Sequence, residues 1–361
     1  MSIRADVVGS LLRPESLKRA WDAREAGELG PAEYKAVEDR AVDAAVALQQ
    51  ECGLDAVTDG ELRRFAFYGH LIDSVGGFER AGGWAIAFRD DAGGETRLER
   101  PVVVSRLRRR RHLCAEEFAY LRARTDRVGK VTLPSAQQAA AYWDPEKSAG
   151  AYPSIDAYLA DVVDLLRDEV AELVRLGCRY VQVDAPQYAG LLDPAIRAGY
   201  VQRGSDPDRL LARCIELDNA VIGRHAGVDF GLHLCRGNND SKWYASGGYD
   251  PIAERVFRGT NFSRFLLEFD DARSGGFEPL RFVPDDRSVV LGLVTTKQPE
   301  LESADTLLRR VREASGFVPL ERLALSPQCG FASTMQGNRL TEADQAAKLR
   351  RVAQVARELW A

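Results

Sequence analysis

Histidine is scarce in this chain: 361 residues carry only four, alongside two methionines. With so few imidazoles, each one is a candidate for chemistry. No apolar run approaches the roughly 20 residues that a membrane helix needs, and the N-terminal "MSIRADVVGSLLRPESLKRAW" has no long apolar core, which predicts neither a membrane partner nor a signal peptide. Charge of one sign is lacking too. Forty-nine Lys and Arg face 54 Asp and Glu, a formal net charge of −5, so nothing pulls the chain generally toward nucleic acid. The six cysteines, at 52, 114, 178, 214, 235 and 329, are scattered instead of paired at short spacings. That argues against a disulfide framework and for a reducing, cytoplasmic setting.

What is present is an alternation. Short β-rich runs stand at 5–10, 55–61, 129–135, 179–186, 229–235, 264–271, 288–296 and 322–330, eight in all. Between them lie amphipathic helical stretches. "PAEYKAVEDRAVDAAVALQQECG" ends on a glycine, a common helix terminator, "SIDAYLADVVDLLRDEVAELVRLGC" opens on a serine that can cap it, and the last helix opens on Thr341. Eight strand–helix units predict an α/β fold, a single (β/α)8 TIM barrel spanning 1–361. Residues 66 to about 127 break the rhythm. Two β-like runs around a Gly/Asp-rich turn predict an antiparallel hairpin inserted between strands two and three.

In such a barrel the active site gathers at the C-terminal ends of the strands. Those ends read Gly9-Ser10, Asp59-Gly60-Glu61, Asp184, His233 with Cys235, Glu268 with Asp270 and Asp271, and Cys329. His233 and Cys235 lie two apart in a strand, so they share a face at roughly 6–7 Å. Alone, that H-x-C pattern is equally a buried histidine beside a small buried thiol. With Cys329 it offers one nitrogen and two sulfurs, and Glu268 can add an oxygen. Thiolates with an imidazole favour zinc over harder cations. Ligands dispersed over several strands suit a catalytic metal better than a local structural staple.

The ordered set "VGS", "DGE", "VQVDAP", "LHLC", "LLEFDD" and "SPQCG" resembles the catalytic barrel of cobalamin-independent methionine synthase and its short single-barrel relatives, a superfamily shared with epoxyalkane:coenzyme M transferases and uroporphyrinogen decarboxylases. The resemblance implies zinc on His233, Cys235, Glu268 and Cys329, with the metal holding a thiol as the thiolate nucleophile. It implies that Gly9, Ser10, Glu61 and Asp184 hold the amino-acid end of homocysteine. The partners it implies are a small-molecule thiol and an alkyl donor.

The chain also departs from that pattern. "VDAP" at 183–186 has Ala185 where an acid is common, "LVTTKQPE" at 293–300 has Lys297 and no histidine, and "VTLPSAQQ" at 131–138 has no tryptophan. The thiol half is therefore intact, while the folate half lacks its acid and its stacking ring. The donor stays open between a folate, a corrinoid, a methylated small molecule and an epoxide. Two further readings stand beside the first: an enzyme opening epoxides with another thiol or cleaving C–S bonds, and a non-catalytic zinc-binding protein. A sulfonate thiol would need nearby cations, and the dense cluster is "RLRRRR" at Arg106–Arg111, otherwise read as a solvated helix or loop face. His70, His112 and His225 are read as bystanders. Cys52, Cys178 and Cys214 are read as packing residues, Cys114 as a thiol that the arginines could activate mildly, and Asp270 and Asp271 as groups that could orient His233.

Overall fold

The computed structural model describes residues 3–360. Eleven strands follow in chain order: β1 Ala56–Val57, β2 Val75–Glu79, β3 Ala85–Arg89, β4 Glu95–Glu99, β5 Val102–Arg109, β6 Val128–Pro134, β7 Tyr180–Asp184, β8 Asp229–Leu234, β9 Arg264–Glu268, β10 Ser288–Val294 and β11 Leu323–Pro327. Seven of them form one curled parallel sheet in the order β1-β6-β7-β8-β9-β10-β11. Strands β7 and β9 are buried at every position, as expected where helices cover one side and side chains fill the other.

The first expected strand shortens to a bridge. Ala5 pairs with Leu325 of β11 in parallel, and the Ala5 carbonyl accepts from Asp55 N at 2.9 Å just before β1. Residues 4–6 thus touch both edges of the sheet. Lys130 of β6 and Asp6 form a fully buried ion pair at 2.9 Å, and Tyr180 donates to the second Asp6 oxygen at 2.7 Å. A charge pair so deep is stable only when its remaining oxygens are satisfied as these are.

The helices follow their sequence signals. Helix Pro31–Cys52 stops at Gly53, whose φ of +87° suits a residue without Cβ. Ser154 accepts from Ala157 N at the start of helix Ile155–Arg175, and Thr341 accepts from Asp344 N at the start of helix Glu342–Trp360.

The segment between β1 and β6 differs from the single hairpin expected. It holds two antiparallel pairs, β2 with β5 and, nested between them, β3 with β4. The inner pair leans back toward the sheet, where Arg89 bridges Trp243 with hydrogen bonds of 2.7 and 2.9 Å. Arg106–Arg109 lie in β5, a strand and not the helix or loop expected. Their ion pairs go to Asp161 and Asp168 on the neighbouring helix. No described helix is long and apolar enough to cross a membrane.

Candidate metal and thiol site

Parallel register sets the site. Asp184 at the end of β7 pairs across with His233 of β8, so two strand ends deliver an acid and an imidazole side by side. Cys235 follows β8 directly and Cys329 follows β11. Ligand atoms of His233, Cys235 and Cys329 all lie within 4.8 Å of one another, the one such cluster among the described residues. All three side chains are buried. Neither ring nitrogen of His233 has a hydrogen-bond partner. A buried imidazole with both nitrogens unpaired is costly, and a metal ion would relieve that cost. The donor set, one nitrogen and two sulfurs in compact array, fits zinc with a position to spare.

The protons of this trio are interdependent. The Cys235 thiol is held well below its ordinary value by the hydrogen bond from Cys329 and by His233. Cys329 is pushed up, first by that same bond to Cys235 and then by burial. Burial pulls His233 down, but Cys235, Asp184 and Glu268 outweigh it and raise it.

Glu268 sits apart from the trio. Its fully buried carboxylate accepts from Arg236 N at 2.7 Å, from Arg273 Nη2 at 3.1 Å and from Lys297 Nζ at 3.4 Å. It is not in the 4.8 Å cluster. Asp270 pairs with Lys297 at 3.9 Å and Asp271 with Arg273 at 2.7 Å. Both acids serve these cations; neither bonds to His233.

A cavity of about 640 Å³ opens over the trio, lined also by Ser10, Glu61 and Asp184. Glu61 has φ of +54°, a left-handed conformation that a non-glycine residue adopts only under constraint. One of its oxygens accepts from Thr132 at 2.7 Å, and the other is buried without a partner. Gly9 lies behind it: a Cβ there would stand 2.3 Å from the Glu61 carboxylate. Gly9 thus makes room for Glu61 and does not itself line the cavity. Burial pushes the Asp184 carboxyl up to about 7 against the pull of His233, and repulsion from Glu61 adds to the rise.

A further part of the cavity wall escaped sequence reasoning. Phe88, Arg89 and Leu98 of the inner hairpin, Arg100 just after it, and Tyr200 and Arg203 all line this cavity. One signal was available: Phe88 is the sole buried residue of β3, a large apolar side chain in an otherwise solvated strand. The arginine run at 106–111 does not line the cavity. Cys114, just beyond it, is pushed up by burial, not activated. His70 is buried in helix Gly69–Ser74, and His112 bonds Glu169 at 2.9 Å away from the site.

The sequence profile of the "Cobalamin-independent synthase, Catalytic domain" family matches residues 4–358. The chain belongs to that family. Among proteins similar to it, YxjG of Bacillus subtilis, itself described as uncharacterized, is 38% identical over 99% of this chain and 94% of its own length. A methionine synthase of Pyrococcus abyssi is 24% identical over 90% of this chain and 85% of its own. A solved structure from Listeria monocytogenes, provisionally assigned as a vitamin B12-independent methionine synthase, superposes with a TM-score of 0.75 at 27% identity and covers 99% of this chain and 98% of that one. The family match spans the sheet, both antiparallel pairs and all strand-end residues named above.

Proposed function

We propose that this member of the cobalamin-independent synthase family is a zinc-dependent thiol alkyltransferase that methylates homocysteine. The observation that carries the proposal is one shared cavity. A compact nitrogen–sulfur–sulfur cluster with an unpaired imidazole lies in it beside a carboxylate with an unpaired oxygen. Relatives named methionine synthase support the substrate. In this reading residues 4–6 are the eighth stave of a closed (β/α)8 barrel, the whole chain is one domain, and the six free thiols belong to a reducing, cytoplasmic compartment.

His233, Cys235 and Cys329 would hold the zinc, with Glu268 as the fourth ligand when it leaves Arg273 and Lys297. Zinc bound there would lower the pKa of the incoming thiol and keep it as thiolate at neutral pH. The chain's own residues do the positioning. The free oxygen of Glu61 and the Asp184 carboxylate would receive the α-ammonium group, with Ser10 beside them. Asp184, raised to about 7 on its own, is drawn back to the charged state by the cation it binds. Held by its amino-acid end, the thiolate faces the remaining cavity volume, where a donor carbon can be attacked in line.

A zinc-edge X-ray absorption measurement with homocysteine or coenzyme M tests the reading. A third sulfur appearing with homocysteine supports it. A third sulfur appearing with coenzyme M alone moves the assignment to the epoxide-opening type. Zinc that ignores both thiols leaves the non-catalytic alternative.

A further inference from the structure

Three observations concern the part of the cavity wall that the inner hairpin and its neighbours supply. First, Arg100 is half-buried there, and among the described residues it has no carboxylate within 4.0 Å, unlike Arg63, Arg64 and Arg273, which are all paired. Arg203 on the same wall is likewise without an acid and lies over the Tyr200 ring instead. A half-buried guanidinium inside a cavity calls for an anion, most strongly a planar one it can grip with two N–H groups.

Second, aromatic rings line the same cavity as that guanidinium. Phe67, Tyr68, Phe88, Tyr200 and Tyr244 line the cavity, Phe67 against Tyr68 and Phe88 against Tyr244 edge to face. The Arg100 charge is felt at the phenols of Tyr68, Tyr200 and Tyr244. Rings arranged around a space of this size attract organic cations.

Third, this wall holds no usable proton donor. Beyond the strand-end acids and the cluster, the polar groups of the lining are arginines, side-chain amides such as Gln137 and Gln138, the hydroxyls of Ser333 and Thr334, and phenols. Burial pushes Tyr68 up to about 12 and raises Tyr200 and Tyr244 as well. The strand-end acids, Glu61 and Asp184, are committed to the amino-acid thiol. A tertiary amine leaves only when protonated, so this wall does not assist it.

We propose that the alkyl donor is a carboxylate-bearing sulfonium, with its carboxylate on Arg100 and its cationic methyl centre among the rings of Phe67, Tyr68, Phe88 and Tyr244. The step balances without a proton. The thiolate sulfur forms the new bond to the methyl carbon, the carbon–sulfonium bond breaks, and its electron pair stays on the departing sulfur. The products are two thioethers, each uncharged at sulfur, and the one from the donor keeps its carboxylate charge. The only proton released is the one the thiol loses on becoming thiolate. The cavity of about 640 Å³ is of a size to take two such small molecules together.

The inference rests on the thiol reading above, and its test separates the two. Zinc-loaded protein with homocysteine is given dimethylsulfoniopropionate, the methyl ester of that acid, or 5-methyltetrahydrofolate, and methionine is quantified by mass spectrometry. The expected result is transfer from the sulfonium acid, about 10–100-fold faster at low concentration than from its ester, the range that loss of a charged hydrogen bond gives. Arg100→Gln should raise KM for the acid by a similar factor, erase the difference between acid and ester, and leave KM for homocysteine unchanged. Arg100→Lys should restore part of the loss. Three results would overturn the inference: preferred transfer from the folate, equal use of acid and ester by the wild type, or no transfer from either sulfonium while homocysteine still adds a sulfur to the zinc. If homocysteine adds no sulfur, the thiol reading itself falls.

Discussion

Lys297 places its ammonium 3.4 Å from the Glu268 carboxylate, in a pocket closed to solvent on both sides of the pair. Arg273 reaches the same carboxylate oxygen. Two cations on one buried acid hold it in place away from the His233–Cys235–Cys329 cluster. If zinc binds the cluster as proposed, a carboxylate so held would leave a metal position free for a thiol.

Replacing Lys297 with Met should therefore shift Glu268 toward the metal. The expected outcome is tighter zinc retention against a chelator and a weaker thiol. About 10-fold more homocysteine should be needed to add the third sulfur in zinc-edge spectra, consistent with losing one buried charged contact. Unchanged chelator kinetics would show that Glu268 takes no part in coordination.

Cys329 is the ligand that arrives from the far end of the chain. Cys329→Ser should lower zinc content well below one per chain by elemental analysis, because a hydroxyl is a poor zinc ligand at neutral pH. Cys114→Ser, which alters a thiol remote from the cluster, should leave zinc content intact. Equal loss in both would mean that the metal depends on folding and not on this ligand.

Glu61→Gln keeps the shape and removes the charge. The unpaired oxygen becomes an amide atom that cannot balance an ammonium group. KM for homocysteine should rise about 10–100-fold, with KM for the donor unchanged and zinc content at wild-type level. A rise in donor KM instead would place Glu61 on the wrong substrate.

Asp218 offers a test by pH away from the metal. Burial pushes its carboxyl from 3.8 to about 7, opposed by hydrogen bonds from Ser135 and Tyr188. The folded state thus binds the proton more tightly than the unfolded one. The stabilisation is fully present below pH 3.8 and is lost as pH rises through about 7. Asp218→Asn has no such proton to lose. Relative to wild type it should gain stability as pH rises from 4 to 8, by roughly 4 kcal/mol at most, read from denaturant midpoints at each pH. A difference that does not change with pH would refute the assignment.

The strands of the sheet could be read from the sequence because a parallel strand buried on both faces is a short apolar run between turns, as in "YVQVD" and "RFLLE". The first strand is shorter than its sequence suggests. Its residues 5–10 mix Ala5, Val7 and Val8 with Asp6, Gly9 and Ser10, and only Ala5 forms a bridge, to Leu325. The cluster of His233, Cys235 and Cys329 could be read because strand ends converge in any barrel. The state of Glu268 could not, since Lys297 and Arg273 meet it through loop geometry that no spacing encodes. The inner hairpin hid its part of the cavity wall for a related reason. Alternation marks which residues of a strand face alike, but not where a nested pair will lean, and Arg100 looks like any surface arginine until the fold sets it in one cavity lining with Tyr68 and Tyr244.

Zinc K-edge X-ray absorption on the zinc-loaded protein, with and without homocysteine, tests the central claim most directly. The account predicts two sulfurs and lighter atoms at rest, and three sulfurs once homocysteine is added. Two sulfurs in both spectra, or a resting site without sulfur, would contradict it.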